Sequence, residues 1–324
     1  MASPSSKKLR IVCVSDTHNK APGEGFTLPK GDILIHAGDL TNQGTYRELE
    51  KAATWLEKAA FARKIVVVGV CRQSRGQKLV TYVWSGNHDV GLDDSLAGMT
   101  DKDKQECCNL LRNSKGITFV EHSSVDIALP GTEAAIKVFG SPCSPARSED
   151  RWAFQYPDSA ASALWSDIPL DTAILITHTP PSGHVDKSAH WSAGGCPALF
   201  ATLTRVRPAL HICGHCHEGR GAVVIRWSGD AQQPGSIESV RTWRDPGSGK
   251  KLSLLDLTGS KREEHGGLGV LELGRETAVV NASIVARSHG SAKVFNKPIV
   301  VDVAVAVLGG RGFVPGETGV DGGE

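Results

Sequence analysis

The stretch Ile33-Leu34-Ile35-His36-Ala37-Gly38-Asp39-Leu40-Thr41 decides how this chain is read. Ile33, Leu34, Ile35 and Ala37 are apolar and only His36 interrupts them, the pattern of a short buried strand. Gly38 then lets the backbone turn with no side chain in the way. Asp39 therefore stands at a strand end, where a carboxylate can reach into a cleft at the sheet edge. Alone it proves nothing, because Asp after Gly is also an ordinary turn residue. Its meaning depends on what other strands deliver beside it.

Working outward, Leu9 to Val14 predicts a strand ending in Ser15-Asp16-Thr17-His18, followed by a Pro- and Gly-containing loop over 19–30. Residues 44–62 carry Glu, Lys, Ala and Leu at helical spacing, and Ile65 to Val68 is a wholly apolar strand. This strand–helix–strand alternation argues for an α/β fold with a mostly parallel sheet. Helices are expected at 101–112, 159–165 and 196–205. Strands are expected at 116–120, 173–176, 209–213, 222–227, 268–273, 278–284 and 299–305. Pro130-Gly131 between two apolar runs suggests a hairpin over 126–139. Residues 141–150 read as a loop and 229–251 as a long surface excursion. The ends, 1–8 and 309–324, read as disordered tails.

At 324 residues with 40% hydrophobic content, the chain can bury a sizeable core. Its 36 basic and 35 acidic side chains leave a formal net charge of +1, so charge gives no argument for nucleic acid or membrane as an obligate partner. The N-terminus lacks the apolar run of a signal peptide, and no stretch approaches membrane-spanning length. A soluble, cytoplasmic protein is the expectation. Of eight cysteines, Cys213 and Cys216 have zinc-like spacing, but no second such pair completes a four-thiolate site.

The polar residues at the strand ends carry the chemistry. Asp16 and His18 follow the first strand and Asp39 the second. Asn87 and His88 follow the third or its replacement, His178 the strand at 173, and His215 and His217 the strand at 209. In a parallel sheet these ends share an edge, so the groups converge. Residues two apart in extended chain point the same way, which lets Asp16 and His18, or His215 and His217, grip one ion together. Carboxylate, amide oxygen and imidazole without thiolate suit manganese, iron or zinc better than calcium or copper(I). Any one of these histidines taken singly fits a surface or core role, and Gly86-Asn87-His88-Asp89 alone is an acceptable turn; their shared order on strand ends favours a metal site.

In order, the SDTH, AGD, GNHD, THTPP and GHCH stretches resemble the five blocks of calcineurin-like metallophosphoesterases. THTPPSGHVD, GGCPAL, GHCHEGRG, VVNASI and FNKPIVVD look like one branch, the metallophosphoesterase-domain-containing proteins. The resemblance covers roughly residues 9–305, taken as one domain. It implies a four-layer α/β/β/α sandwich with a site for two divalent metal ions, manganese before iron or zinc, at the C-terminal edge of the strands. Asp16, His18, Asp39 and His217 would hold the first ion. Asp39 would bridge to a second, held also by Asn87, His178 and His215. His88 would protonate the leaving oxygen or stabilise its charge, and Asp89 would orient His88 or cap the following turn. Some animal members of the branch replace the first His of the last block, which weakens their catalysis; this chain keeps His215. His184, Arg147 and Arg220 are further candidates for touching a phosphate or base, with a solvated role favoured for both arginines.

The chain departs from that pattern at 70–86, which lies between the apolar strand at 65–68 and Asn87 and reads as an insertion or as a retained in-frame intron. A small phosphorylated substrate, a nucleotide above others, is the expected partner, and the oligomeric state is open. The resemblance favours phosphodiester hydrolysis, including cyclic nucleotides, by a metal-activated water. Phosphomonoester hydrolysis on nucleotides or phosphoproteins needs the same clamp, and a weakly active nucleotide-binding scaffold is the reading from another class.

Overall fold

The computed structural model describes residues 7–67, 87–89, 100–147, 152–191, 194–229, 236–247, 249, 251–287 and 294–309. The segment at 70–86 and most of both tails lie outside them. Two mixed sheets stack face to face. The first contains β1 (Lys8–Val14), β2 (Ile33–His36), β3 (Arg63–Val67), β4 (Thr118–Val120), β13 (Ser253–Asp256) and β17 (Ile299–Ala304), in the order β13-β17-β1-β2-β3-β4. The second contains β5 (Ser123–Ala128), β6 (Ala135–Ser141), β9 (Ile174–Thr177), β10 (Leu210–Cys213), β11 (Gly221–Trp227), β12 (Ile237–Thr242) and β14 (Glu276–Asn281), in the order β12-β11-β14-β10-β9-β6-β5. Two short pairs, β7 (Ser144–Pro145) with β8 (Gln155–Tyr156) and β15 (Val285–Arg287) with β16 (Val294–Phe295), sit outside the sheets.

Strand alternation builds the layers. Ile11, Cys13, Ile33, Ile35, Ile65 and Val67 share one apolar cluster with Ile174, Ile176, Leu210 and Ile212 of the facing sheet. The intervening residues Val12, Val14, Leu34 and Val66 point to the other side, where helices cover them. Helix α1 (Tyr46–Lys58) presents Leu49, Ala52, Ala53 and Leu56, an i, i+3, i+4, i+7 stripe. It begins at a reciprocal capping box of Thr45 and Glu48. Beside it lies α2 (Asp101–Arg112), capped the same way by Thr100 and Asp103. On the second sheet, α3 (Ala161–Ser166) and α4 (Pro197–Val206) contribute Trp165, Leu199 and Leu203. A short α5 (Val305–Gly309) follows β17. The result is a four-layer α/β/β/α arrangement.

Most strand pairs within the two sheets are parallel, as expected, with antiparallel pairs where β17 joins β1, β5 joins β6, and β11 joins β12 and β14. Two expectations need correcting. Residues 268–273 form no strand, because Gly269 turns at φ 80° and leaves isolated bridges at Gly267 and Val270; the strand on that side is β13. The excursion at 229–251 contains β12, an edge strand whose side chains are mostly exposed and so carry no apolar alternation.

What matters for the site is the run of parallel strands β1, β2 and β3 in one sheet and β6, β9, β10 and β14 in the other. Their C-terminal ends meet at one edge. A parallel bridge between Ser15 and Ser283 joins the sheets there.

Candidate metal centre

The loops after β1 and β2 are laced together: Asp16 N–H donates to Gly38 O at 3.0 Å, His18 N–H to Asp39 O at 3.1 Å and Asn19 N–H to Leu40 O at 2.8 Å. The lacing holds Asp16, His18, Asn19 and Asp39 at φ 56°, 43°, 63° and 54°, and His215 across the cleft at 65°. Asp, Asn and His tolerate the left-handed region better than other side chains, at a cost of about 1–3 kcal/mol each that is characteristic of functional sites. Gly38, at φ 99°, is needed twice over, because a Cβ there would lie 2.6 Å from His178 Nδ1.

Side chains from both sheets then converge. Asp16 Oδ1 lies 3.3 Å from His217 Nε2, which is itself 3.3 Å from His18 Nε2. Asp39 turns Oδ2 toward His18 Nε2 at 3.8 Å and Oδ1 toward His178 Nε2 at 3.4 Å. Asn87 Oδ1 stands 3.2 Å from His178 Nε2 and 2.9 Å from His215 Nδ1. The sets Asp16/His18/His217, Asp16/Asp39/His178 and His18/Asp39/His88 each place their donor atoms within 4.8 Å of one another. Asp16, Asp39 and His178 are essentially inaccessible to solvent.

The surroundings fix these groups. His178 Nδ1–H donates to Ala37 O at 3.0 Å, so the Nε2 that faces Asp39 and Asn87 is the nitrogen left for a metal in the neutral ring. The Asp16 carboxylate accepts the His215 N–H on both oxygens at 3.1 Å. His88 donates its backbone N–H to Asp39 Oδ1 at 3.0 Å and its Nδ1–H to Asn42 O at 3.0 Å. The ring of His88 is therefore held by the Asn42 carbonyl, where the sequence left Asp89 either to orient His88 or to cap the following turn. Asp89 reaches the other way and accepts from Leu40 N–H, Thr41 N–H and Thr41 Oγ1–H, which fixes the turn after Asp39.

The electrostatics call for positive charge. Burial works to raise Asp16 and Asp39, yet His217 beside the first and His178 beside the second hold both carboxyls below the usual range. Burial likewise works to lower His178, and Asp39 outweighs it, lifting the imidazole to about 9. Burial pushes His18 down to about 4 and His215 to about 3, which keeps both rings neutral with lone pairs to offer. Asp89 is pushed up to about 7, by burial and then by Asp39. Two buried carboxylates gathered among imidazoles, with no lysine or arginine paired to them among the described residues, fit a cation-binding centre.

Other candidates go elsewhere. Arg147 donates to Gly195 O, Arg220 to Asp245 and Lys297 O, and His184 packs against Phe200. Burial pushes the thiols of Cys213 and Cys216 well up, so both pack as small apolar groups. His36 and His211 hydrogen-bond Thr17 and Thr177 inside the two sheets. What the sequence reading missed are the aromatic groups: Trp152 lies 4.5 Å from the His88 ring, and Trp191 stacks on His215 at 5.1 Å and 16° between planes. Asp39, Asn87, His88, His215 and His217 open into a cleft of about 230 Å³ whose remaining wall is Ser188, His190, Trp191 and Glu218.

Two stacked sheets with oxygen and nitrogen donors gathered at their shared edge make a candidate centre for divalent metal ions. The chain belongs to the calcineurin-like phosphoesterase family, whose pattern matches residues 9–219; that family acts on phosphoesters with divalent metals. It is 33% identical over 217 residues to human metallophosphoesterase domain-containing protein 1, covering 66% of this chain and 62% of that one. It is 34% identical over 226 residues to a UPF0046 protein of Caenorhabditis elegans, 66% of each. A protein of Emericella nidulans named probable rhamnogalacturonate lyase C is 38% identical over 221 residues, 68% of this chain but 18% of that one. The chain thus spans less than two thirds of the human relative and under a fifth of the Emericella protein.

Proposed function

We propose that the chain is a metal-dependent phosphodiesterase. The supporting observation is the composition of the cleft. Its lining includes Asp39 and the exposed rim residue Glu218 and, among the described residues, neither lysine nor arginine. A monoester brings close to two negative charges near neutral pH and a diester one, so a cleft without fixed cations beyond its metals favours the diester.

In this reading Asp16, His18, Asp39 and His217 hold one divalent ion, and Asp39, Asn87, His178 and His215 a second, with the two Asp39 oxygens already turned toward opposite groups. When bound, such ions polarise the phosphoryl oxygens and supply a nucleophilic water at neutral pH. His178 is kept in its ligating tautomer by Ala37 O. His88, its Nδ1–H engaged by Asn42 O, would give a proton from Nε2 to the departing oxygen when the ring carries both protons. Manganese is the favoured ion, with iron or zinc compatible with the same donors.

The test is metal-stripped protein with manganese restored, assayed on bis(4-nitrophenyl) phosphate and 4-nitrophenyl phosphate. Diester turnover exceeding monoester turnover, lost in Asp39→Asn and reduced about 100-fold or more in His88→Ala, is expected. Monoester preference refutes the diester assignment, and binding without turnover refutes the enzyme.

A further inference from the structure

Nothing in the metal chemistry asks for a tryptophan, yet Trp191 stands in the cleft wall. Its indole is half-buried, stacked on the His215 ring with centroids 5.1 Å apart and planes within 16°. The neighbouring His190 ring meets it edge-on at 6.0 Å and 63°. Trp191 lines the same cleft as Asp39, Asn87 and His88. The loop that carries it is tied down: Asp186 Oδ2 accepts from Gly183 N–H at 2.8 Å and Gly195 N–H at 3.2 Å, and Glu218 accepts from Ala189 N–H at 3.1 Å. A large flat apolar surface is thus held in a cleft otherwise lined mainly by polar groups.

We propose that Trp191 is the specificity-determining residue of this cleft, the platform on which a planar aromatic group carried by the phosphoester stacks. The proposal rests on the phosphoesterase reading and adds the class of organic group, an aryl or heteroaromatic ring, that the site selects. A ring laid on an indole gains beyond its area burial only if it is flat, because the gain comes from offset stacking of two π faces. A saturated ring of the same size buries similar area without that term.

Phenylphosphonate and cyclohexylphosphonate isolate the difference. Both are phosphonates with a six-membered ring, and neither has an ester bond to hydrolyse. Titrated calorimetrically into the manganese-loaded full chain, phenylphosphonate is expected to bind roughly threefold to tenfold tighter than cyclohexylphosphonate. Trp191→Leu brings the two together while leaving inorganic phosphate affinity within about twofold. Trp191→Phe, which keeps a ring beside His215, retains most of the preference and serves if the leucine variant does not fold. Equal binding of the two phosphonates to the unaltered chain, or a preference that survives in Trp191→Leu, overturns the proposal. Failure of both phosphonates to bind overturns the platform, and absence of diester turnover in the same manganese-loaded preparation overturns the phosphoesterase reading with it.

Discussion

Gly214→Ala puts the construction of the centre to a steric test. Gly214 sits between β10 and His215, with its N–H donating to His178 O at 2.9 Å. A Cβ built there falls 2.0 Å from Ser15 Oγ, 2.6 Å from Ser15 Cβ and 2.5 Å from Asp16 Oδ2. Ordinary contacts begin near 3.4 Å, so the two loops must part by roughly 1 Å. Neither can give freely. Asp16 N–H is bonded to Gly38 O, Ile284 N–H to Ser15 O, and Ser15 Oγ–H donates to Gly38 O. Overpacking of this kind costs about 1–3 kcal/mol, which lowers the melting temperature by several degrees in a chain of this size. The larger effect falls on function. The atoms displaced include the Asp16 carboxylate and the His215 amide that it accepts from, so one methyl group disturbs residues of both proposed ion sites. Misplacement by about 1 Å costs about 100-fold in turnover, and manganese affinity is expected to fall at least tenfold. Calorimetric manganese titration and diester turnover measure the two. Ser15→Gly in the same chain removes two of the three clashes, leaving that with Asp16 Oδ2, and should restore part of both, the coupling expected of residues that press on one another. Wild-type affinity and turnover in Gly214→Ala, or no relief from Ser15→Gly, refutes the account.

Further outcomes are expected elsewhere. Manganese at 100 times its Kd should stabilise the folded chain by about 2.7 kcal/mol, read as a rise in melting temperature after chelation and reloading; Asp39→Asn should abolish the rise. Thr41→Val removes the Oγ1–H that Asp89 accepts at 2.6 Å and leaves a buried carboxyl short of a donor, which should cost about 1–3 kcal/mol in urea melts. Asp302 is buried and accepts from Arg10 at 2.7 and 2.8 Å and from Lys8 at 2.9 Å. Burial works to raise it, but the Arg10 and Lys8 bonds prevail and hold it below the usual range. A depressed carboxyl stabilises the folded chain above its unfolded pKa of about 3.9, and that contribution fades as the pH falls further. Asp302→Asn should therefore cost about 1–3 kcal/mol at pH 7, with the gap to wild type closing below about pH 4; a gap that widens on acidification refutes the pairing.

How much of this was legible in the sequence depended on the kind of signal each part leaves. Parallel strands buried on both faces write continuous apolar runs, so β1, β2, β9 and β10 and the polar residues at their ends could be read directly. β12 could not, because an edge strand with mostly exposed side chains has no apolar alternation to show. Residues 268–273 misled in the opposite direction. Leu268, Val270, Leu271 and Leu273 supply strand-like apolarity, while the turn at Gly269 breaks the ladder that would use it. The orienting partner of His88 was invisible for another reason: every residue has a carbonyl, and nothing in the letter Asn42 says that its oxygen will face an imidazole. Trp191 lay in a polar loop without periodicity, so its stacking on His215 could only come from the structure.

The short motifs were readable because their residue types answer two demands at once. Asp16, His18, Asp39 and His215 all adopt left-handed backbone, which suits the few polar side chains that also make good ligands for a hard or borderline cation. The glycines beside them look equivalent in sequence and are not. Gly38 needs both its φ of 99° and room for the His178 ring, whereas Gly214 is no left-handed residue and is small only because Ser15 and Asp16 press against it. A substitution at Gly38 therefore meets backbone strain and a clash together, and one at Gly214 meets the clash alone. That difference makes Gly214 the cleaner probe, since any loss there, and any relief from Ser15→Gly, traces to the spacing between the two sheets rather than to the turn itself.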